Sequence, residues 1–171
     1  MKNTKTKMLT AASMLCALSV VLMLAGSIID VMDLSVAAIC SFIIAIAAIE
    51  LGGAYPLLIF SVSSVLGMLL LPNKLPALYY LLFFGWYPIA KKPLDRLNKP
   101  LGFTLKMLLC SLSLTLILLA SALVAPAEEL VKISVWVYAV CLPVFILYDA
   151  AFERVTLAYL MRWRHRLHLW K

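Results

Sequence analysis

The basic residues of this chain fall into three clusters that are separated by long apolar stretches. Of the 15 Lys and Arg residues, 13 lie in these clusters, and the other two are Lys74 and Lys132. The clusters comprise Lys2, Lys5 and Lys7; Lys91, Lys92, Arg96, Lys99 and Lys106; and Arg154, Arg162, Arg164, Arg166 and Lys171. Hydrophobic residues make up 65% of the chain, whereas a soluble domain contains ~45–50% apolar residues. The pattern predicts an integral membrane protein whose surface is largely solvated by lipid.

Six apolar segments match the length of a membrane-spanning helix, which needs ~20 predominantly apolar residues. They cover approximately residues 8–28, 34–51, 54–71, 76–90, 103–124 and 133–152. The fourth is the shortest and is flanked by Pro76 and Pro88, as is typical of a tilted or partly interfacial helix. We therefore predict an all-α bundle of six transmembrane helices that forms a single domain, residues 1–171, ending in a basic tail over residues 154–171.

The orientation follows from the clusters, because six spans place all three of them on one side of the membrane. Basic loops stay on the cytoplasmic side, so both termini and the loop around residues 91–106 are expected in the cytoplasm and the protein in the cell membrane. Residues 1–27 also resemble a secretory signal, and cleavage near Ala25 would leave five spans. The apolar run continues to Ile29, longer than a usual signal core, which favours retention of the first helix.

Several function classes are disfavoured by the residues that the chain lacks. It has no Gly-rich phosphate-binding motif, and its paired glycines, Gly52 and Gly53, fit a tight turn between two spans. No Ser–His pair, intramembrane carboxylate pair or histidine pair suited to a metal is present, so we expect no enzyme, no cofactor and no metal site. The net charge of +7 is explained by basic residues that orient the chain in the membrane and contact anionic lipid headgroups. Nucleic-acid binding is therefore not expected. The four cysteines are predicted to be buried small hydrophobic residues; they are Cys16, Cys40, Cys110 and Cys141.

Charged residues concentrate at the predicted cytoplasmic membrane edge. Ionisable groups at membrane depth are candidates for function, and opposite charges are available here at one depth. The cluster comprises Glu50, Lys91, Lys92, Arg96, Asp149 and Glu153. Structural salt bridges are the favoured interpretation, and a coupling surface for a partner protein is the alternative.

Polar and aromatic residues also gather at the predicted outer ends of the spans. Aromatic faces stack on flat organic ligands, while nearby amide and charged groups orient the polar edge of such a ligand. The candidate ligand-binding residues are Asp33, Asn73, Lys74, Tyr79, Tyr80, Glu128, Trp136 and Tyr138. A belt of aromatic residues at the membrane interface explains the same tyrosines and tryptophan without any ligand.

In its size, six predicted spans, cytoplasmic ends and short outer loops, the chain resembles the substrate-binding S components of energy-coupling factor transporters. In that family, small residues on the first helix, often Ala-x-x-x-Ala, contact a shared transmembrane coupling subunit. The nearest matches here are Ala12 to Cys16 and Ser13 to Ala17, which lack the paired alanines. The resemblance implies a vitamin, nucleobase-like compound or metal as cargo, and ATPase subunits supplied by other chains.

Two further interpretations remain open. The same layout is similar to the MreD group of cell-shape proteins, which would make this chain a membrane scaffold whose cytoplasmic loop and tail are the working parts. A pocket at the outer end favours cargo binding, whereas a solid outer half favours scaffolding. A small secondary transporter is a third class, but it would need inverted repeats and helices broken near the bilayer centre. No internal repeat is evident, and of the candidate helix breakers only Pro143 lies deep in a span.

Overall fold

The structure is a computed structural model that describes residues 2–29, 32–95, 99–122 and 127–163. Within these ranges, side chains are described except at residues 2–4, 92, 99, 100, 120–122, 127–138, 162 and 163. The helices are α1 Lys2–Ile28, α2 Asp33–Glu50, α3 Tyr55–Leu70, α4 Leu75–Tyr79, α5 Tyr87–Leu94, α6 Lys99–Ala122 and α7 Ala127–Ala158. Two π-helical turns, Tyr80–Phe84 and Tyr159–Trp163, follow α4 and α7. The described residues contain no strand, and the predicted all-α class is confirmed.

Three stretches of helix in the described part of the chain are long and apolar enough to cross a membrane. They are Lys5–Ile28 in α1, Asp33–Glu50, which is the whole of α2, and Leu101–Leu119 in α6. They match the first, second and fifth predicted spans to within a few residues. The α3 helix is also apolar, but its 16 residues make it shorter than these three.

The fourth predicted span is not one continuous helix. Residues 75–94, which we call segment four, consist of α4, the π turn Tyr80–Phe84, a turn at Gly85 and Trp86, and α5. Pro88 lies at the start of α5 and has no amide hydrogen, so the regular ladder of hydrogen bonds cannot run through this point. The indole nitrogen of Trp86 donates to the Leu82 carbonyl oxygen at 2.8 Å, which satisfies a backbone acceptor beside the break.

The chain divides into two compact units, residues 1–117 and residues 118–171. In the first unit, α2 is the central element. It packs against α1, against α3, and against the three helical parts of segment four, which are α4, the π turn and α5. Its buried residues include the alanines 37, 45, 47 and 48, whose small side chains allow neighbouring helices to approach closely. In the second unit, the rings of Tyr148 and Phe152 on α7 lie 5.8 Å apart. The single-domain organisation stays a prediction.

The turn between α2 and α3 has the form that the sequence predicted. Gly52 and Gly53 have φ angles of 63° and 54°, in the left-handed region that favours glycine. The Leu51 and Gly52 amides both donate to the Ala47 carbonyl oxygen, which terminates α2. The chain therefore reverses within four residues, and α2 and α3 run antiparallel and pack together.

Candidate functional site

The candidate ligand-binding residues of the first unit lie where α2 begins and the connection from α3 to α4 passes beside it. Asn73 joins the two: its Nδ2 donates to Asp33 Oδ2 at 3.2 Å. Its Oδ1 accepts a hydrogen bond from the Leu75 amide at 3.0 Å, which forms an Asx turn at the first residue of α4. We call this end of the unit the Asp33 end.

Asp33 lies at the N-terminus of a helix and is almost completely buried. Asp33 occupies the first turn of α2, where the positive end of the helix dipole stabilises negative charge. Its side chain is only 6% exposed. Lys74 is exposed, and its Nζ donates to the Leu71 carbonyl oxygen at 2.6 Å. The structure thus brings Asp33, Asn73 and Lys74 together. The hydrogen bonds described above join these side chains to one another or to the backbone of the connection.

Tyr79 and Tyr80 differ sharply in exposure. Tyr79 is half-buried, whereas Tyr80 is fully buried and its hydroxyl lies 2.9 Å from that of Ser63 on α3. Tyr80 therefore belongs to the core of the first unit and offers no surface to a ligand arriving from solvent. The other three candidates, Glu128, Trp136 and Tyr138, have side chains outside the described part of the chain.

The two small-residue pairs on α1 face in different directions. Ala12 and Cys16 are 6% and 8% exposed and belong to the core, where α1 packs on α2 and α3. Ser13 and Ala17 are exposed, and the Ser13 hydroxyl is bonded to the Leu9 carbonyl oxygen of its own helix. Only the second pair is accessible to another chain.

The predicted charge cluster is distributed over both units. In the first, Glu50 is half-buried and Lys91 is 6% exposed, on the packed helices α2 and α5. In the second, Asp149 is half-buried and Glu153 is exposed on α7. The side chains of Lys92 and Arg96 lie outside the described residues.

An ion pair that sequence reasoning missed joins the end of α5 to α6. Lys106 Nζ lies 2.6 Å from Asp95 Oδ1, and the Lys106 side chain is 11% exposed. Asp95 is the sole acidic residue within the basic stretch 91–106. A single acidic residue among several basic ones is the sequence feature that could have predicted this salt bridge.

A second missed feature is a set of buried polar groups around Tyr80. Ser63 and Cys40 are buried, and Cys40 donates to the Ser19 carbonyl oxygen at 3.5 Å. The prediction of buried cysteines is confirmed for Cys16, Cys40 and Cys110, while Cys141 is half-buried.

The chemistry of this end is that of packing and hydrogen bonding. Within the described residues, no three His, Cys, Asp or Glu side chains are grouped so that they could hold a metal ion.

No protein-family model matches the chain, and no curated protein or solved structure is significantly similar to it.

Proposed function

We propose that the chain is the substrate-capture membrane subunit of an ATP-driven, multi-subunit importer for a small molecule, such as a vitamin or a related micronutrient. In this proposal it lies in the cell membrane with six spans and cytoplasmic termini, segment four forming a broken fourth span. It has no catalytic role of its own, because ATP is hydrolysed by subunits on other chains.

The observation that carries the proposal is the exposure of Ser13 and Ala17 on α1. Small residues four positions apart lie on one helix face and permit close approach of a second membrane helix. The Ser13 hydroxyl already has a backbone partner, so a partner helix can cover it without leaving a buried polar group unsatisfied. These two residues are the proposed contact with a transmembrane coupling subunit.

The proposed ligand site is the Asp33 end, which faces the outside in the proposed topology. Asp33, Asn73 and Lys74 would supply polar contacts, and Tyr79 an aromatic face. Glu128, Trp136 and Tyr138 stay candidate ligand-binding residues of the second unit. Tyr80 would support the site from the core and not contact the ligand.

A membrane scaffold of the MreD type is the second candidate, and a different observation favours it. Asp33 and Asn73 bond to each other, and Tyr80 is buried. Side chains that bond to one another in this way would suit a protein that organises neighbours through its cytoplasmic loop and basic tail.

Affinity purification of the tagged protein in mild detergent, followed by mass spectrometry, separates the two candidates. Coupling and ATPase subunits that co-purify would support the importer, whereas cell-wall or division proteins would support the scaffold. Ala17→Leu places a bulky side chain on the proposed contact and should abolish co-purification of a coupling subunit. Ala25→Leu is the matched control, because Ala25 is also exposed but lies about two turns further along α1.

The topology has its own test in single-cysteine variants of intact cells. A cysteine at position 73 should react with a membrane-impermeant reagent from outside, and one at position 98 only after permeabilisation. Reaction of both from the same side contradicts the six-span arrangement.

A further inference from the structure

Segment four packs antiparallel to α3 through a regular series of contacts. A Cβ atom on Gly67 would lie 3.3 Å from Ala77 Cβ, which is close van der Waals contact. One turn away, the hydroxyls of Ser63 and Tyr80 lie 2.9 Å apart. The contacts advance by four residues on α3 and by three on segment four, as expected for two ordinary α-helices.

The third contact departs from this spacing. A Cβ atom on Gly85 would lie 2.3 Å from Phe60 Cδ2, so the α3 side chain presses directly on the glycine backbone. Phe60 follows the α3 spacing, being three residues from Ser63. Gly85, however, is five residues from Tyr80, and a regular α-helix would place Phe84 at this point.

The π turn Tyr80–Phe84 accounts for the difference. A π turn closes hydrogen bonds five residues apart, and the Gly85 amide donates to the Tyr80 carbonyl oxygen at 2.7 Å. It therefore holds one residue more than an α turn. That extra residue replaces the ring of Phe84 with the bare backbone of Gly85 opposite Phe60.

The π turn also decides which residues of α5 point inward. The α5 helix packs on α2, and Lys91 is only 6% exposed even though its side chain is charged. The neighbouring Ala90 is half-buried. Gly85 and Trp86 keep right-handed helical backbone angles, so they connect the π turn to α5 without a change of direction. If residues 80–84 formed an α turn instead, the residues of α5 would therefore rotate by about 100°. Ala90 would then take the buried position, and Lys91 would leave it.

We propose that segment four is a two-register switch controlled by its contact with Phe60. In the π register, Phe60 fits against Gly85 and Lys91 is buried. In the α register, which requires Phe60 to withdraw and admit Phe84, Lys91 turns out of the core. Any event that separates α3 from segment four at Phe60 thereby presents a lysine at the far end of α5.

The test measures the accessibility of positions 90 and 91 in purified protein. Lys91→Cys and Ala90→Cys are introduced separately into a background in which the four native cysteines are alanine, and each is reacted with a polar maleimide. Phe60→Ala removes the ring that only glycine can accommodate, and should shift the population toward the α register. The labelling rate at position 91 should rise severalfold while that at position 90 falls.

Deletion of Leu81 provides a locked control. Leu81 is exposed and lies within the π turn, so its removal leaves an ordinary α turn with Gly85 and Lys91 still in their present positions. Adding this deletion to Phe60→Ala should return both labelling rates to those of the parent protein. Phe60→Leu, which removes the ring but keeps more of the core filled, should give the same reciprocal change.

The reciprocal pattern distinguishes rotation from loosening of the bundle. A rise at both positions, or no change at either, overturns the proposal. A reciprocal change that persists after deletion of Leu81 also overturns it, because the register can no longer shift in that variant.

Discussion

The hydroxyls of Tyr80 and Ser63 form a hydrogen bond across 2.9 Å in the core of the first unit, and we infer that Tyr80 is the donor. The direction follows from the other partners of Ser63, whose Oγ lies 2.6 Å from the Ile59 carbonyl oxygen and 3.2 Å from that of Phe60. Carbonyl oxygens only accept, so the Ser63 proton is directed to one of them. The hydrogen bond from Tyr80 then uses a lone pair of Ser63.

This direction predicts that removing the Ser63 hydroxyl lowers the free energy of unfolding more than removing the Tyr80 hydroxyl. Ser63→Ala removes the acceptor and leaves the buried Tyr80 hydroxyl without it, so the free energy of unfolding should fall by about 1–3 kcal/mol. Tyr80→Phe leaves the Ser63 donation intact and should cost about 1 kcal/mol or less. Denaturant unfolding in detergent measures both changes. Equal losses would contradict the assigned direction.

The neighbouring serine should behave in the opposite way. Ser64 is 3% exposed, and its Oγ has no hydrogen-bond partner in the described part of the chain. Ser64→Ala removes a buried hydroxyl and nothing that bonds to it, so stability should stay the same or increase by about 1 kcal/mol. The variant is a matched control for Ser63→Ala, since the change is identical and one residue away. A substantial loss of stability would show that the hydroxyl has a stabilising role.

The hydrogen bond from Asn73 to Asp33 predicts a pair of substitutions that compensate. Asn73→Asp keeps an oxygen that can accept from the Leu75 amide but places a second carboxylate beside the buried Asp33, and should lower stability by about 1–3 kcal/mol at neutral pH. Adding Asp33→Asn restores an amide opposite a carboxylate. The double variant should recover most of the loss in thermal unfolding. Additive losses would mean that the two side chains do not interact.

The ion pair between Asp95 and Lys106 should also respond unequally to removal of its two partners. Asp95→Ala withdraws the carboxylate from a lysine whose side chain is 11% exposed, and should cost about 1–2 kcal/mol. Lys106→Met keeps the apolar stem and leaves Asp95, which is 47% exposed, to water, so the loss should be below about 1 kcal/mol. A double-mutant cycle in unfolding experiments gives the coupling energy. A coupling energy of zero would show that the pair does not stabilise the fold.

The candidate site could be predicted only in part from the sequence. The sequence predicts Asp33, Asn73 and Lys74 at one end because each flanks an apolar segment, and the fold brings them together. The burial of Tyr80 was not expected, since Tyr79 and Tyr80 are equivalent by composition and position. Which of two adjacent tyrosines enters the core depends on the rotation of the helix about its axis.

The sequence by itself determined the helical class and the approximate bounds of the helices. Apolar length, the Gly52-Gly53 turn and the placement of basic residues are local properties that any fold of this chain must accommodate. The tertiary structure decided which faces are buried: Ala12 and Cys16 rather than Ser13 and Ala17, and Tyr80 rather than Tyr79. It also placed the backbone of Gly85, the residue that follows the π turn, against the ring of Phe60 on α3. Such contacts depend on close packing between helices that are distant in sequence, which local sequence patterns do not specify.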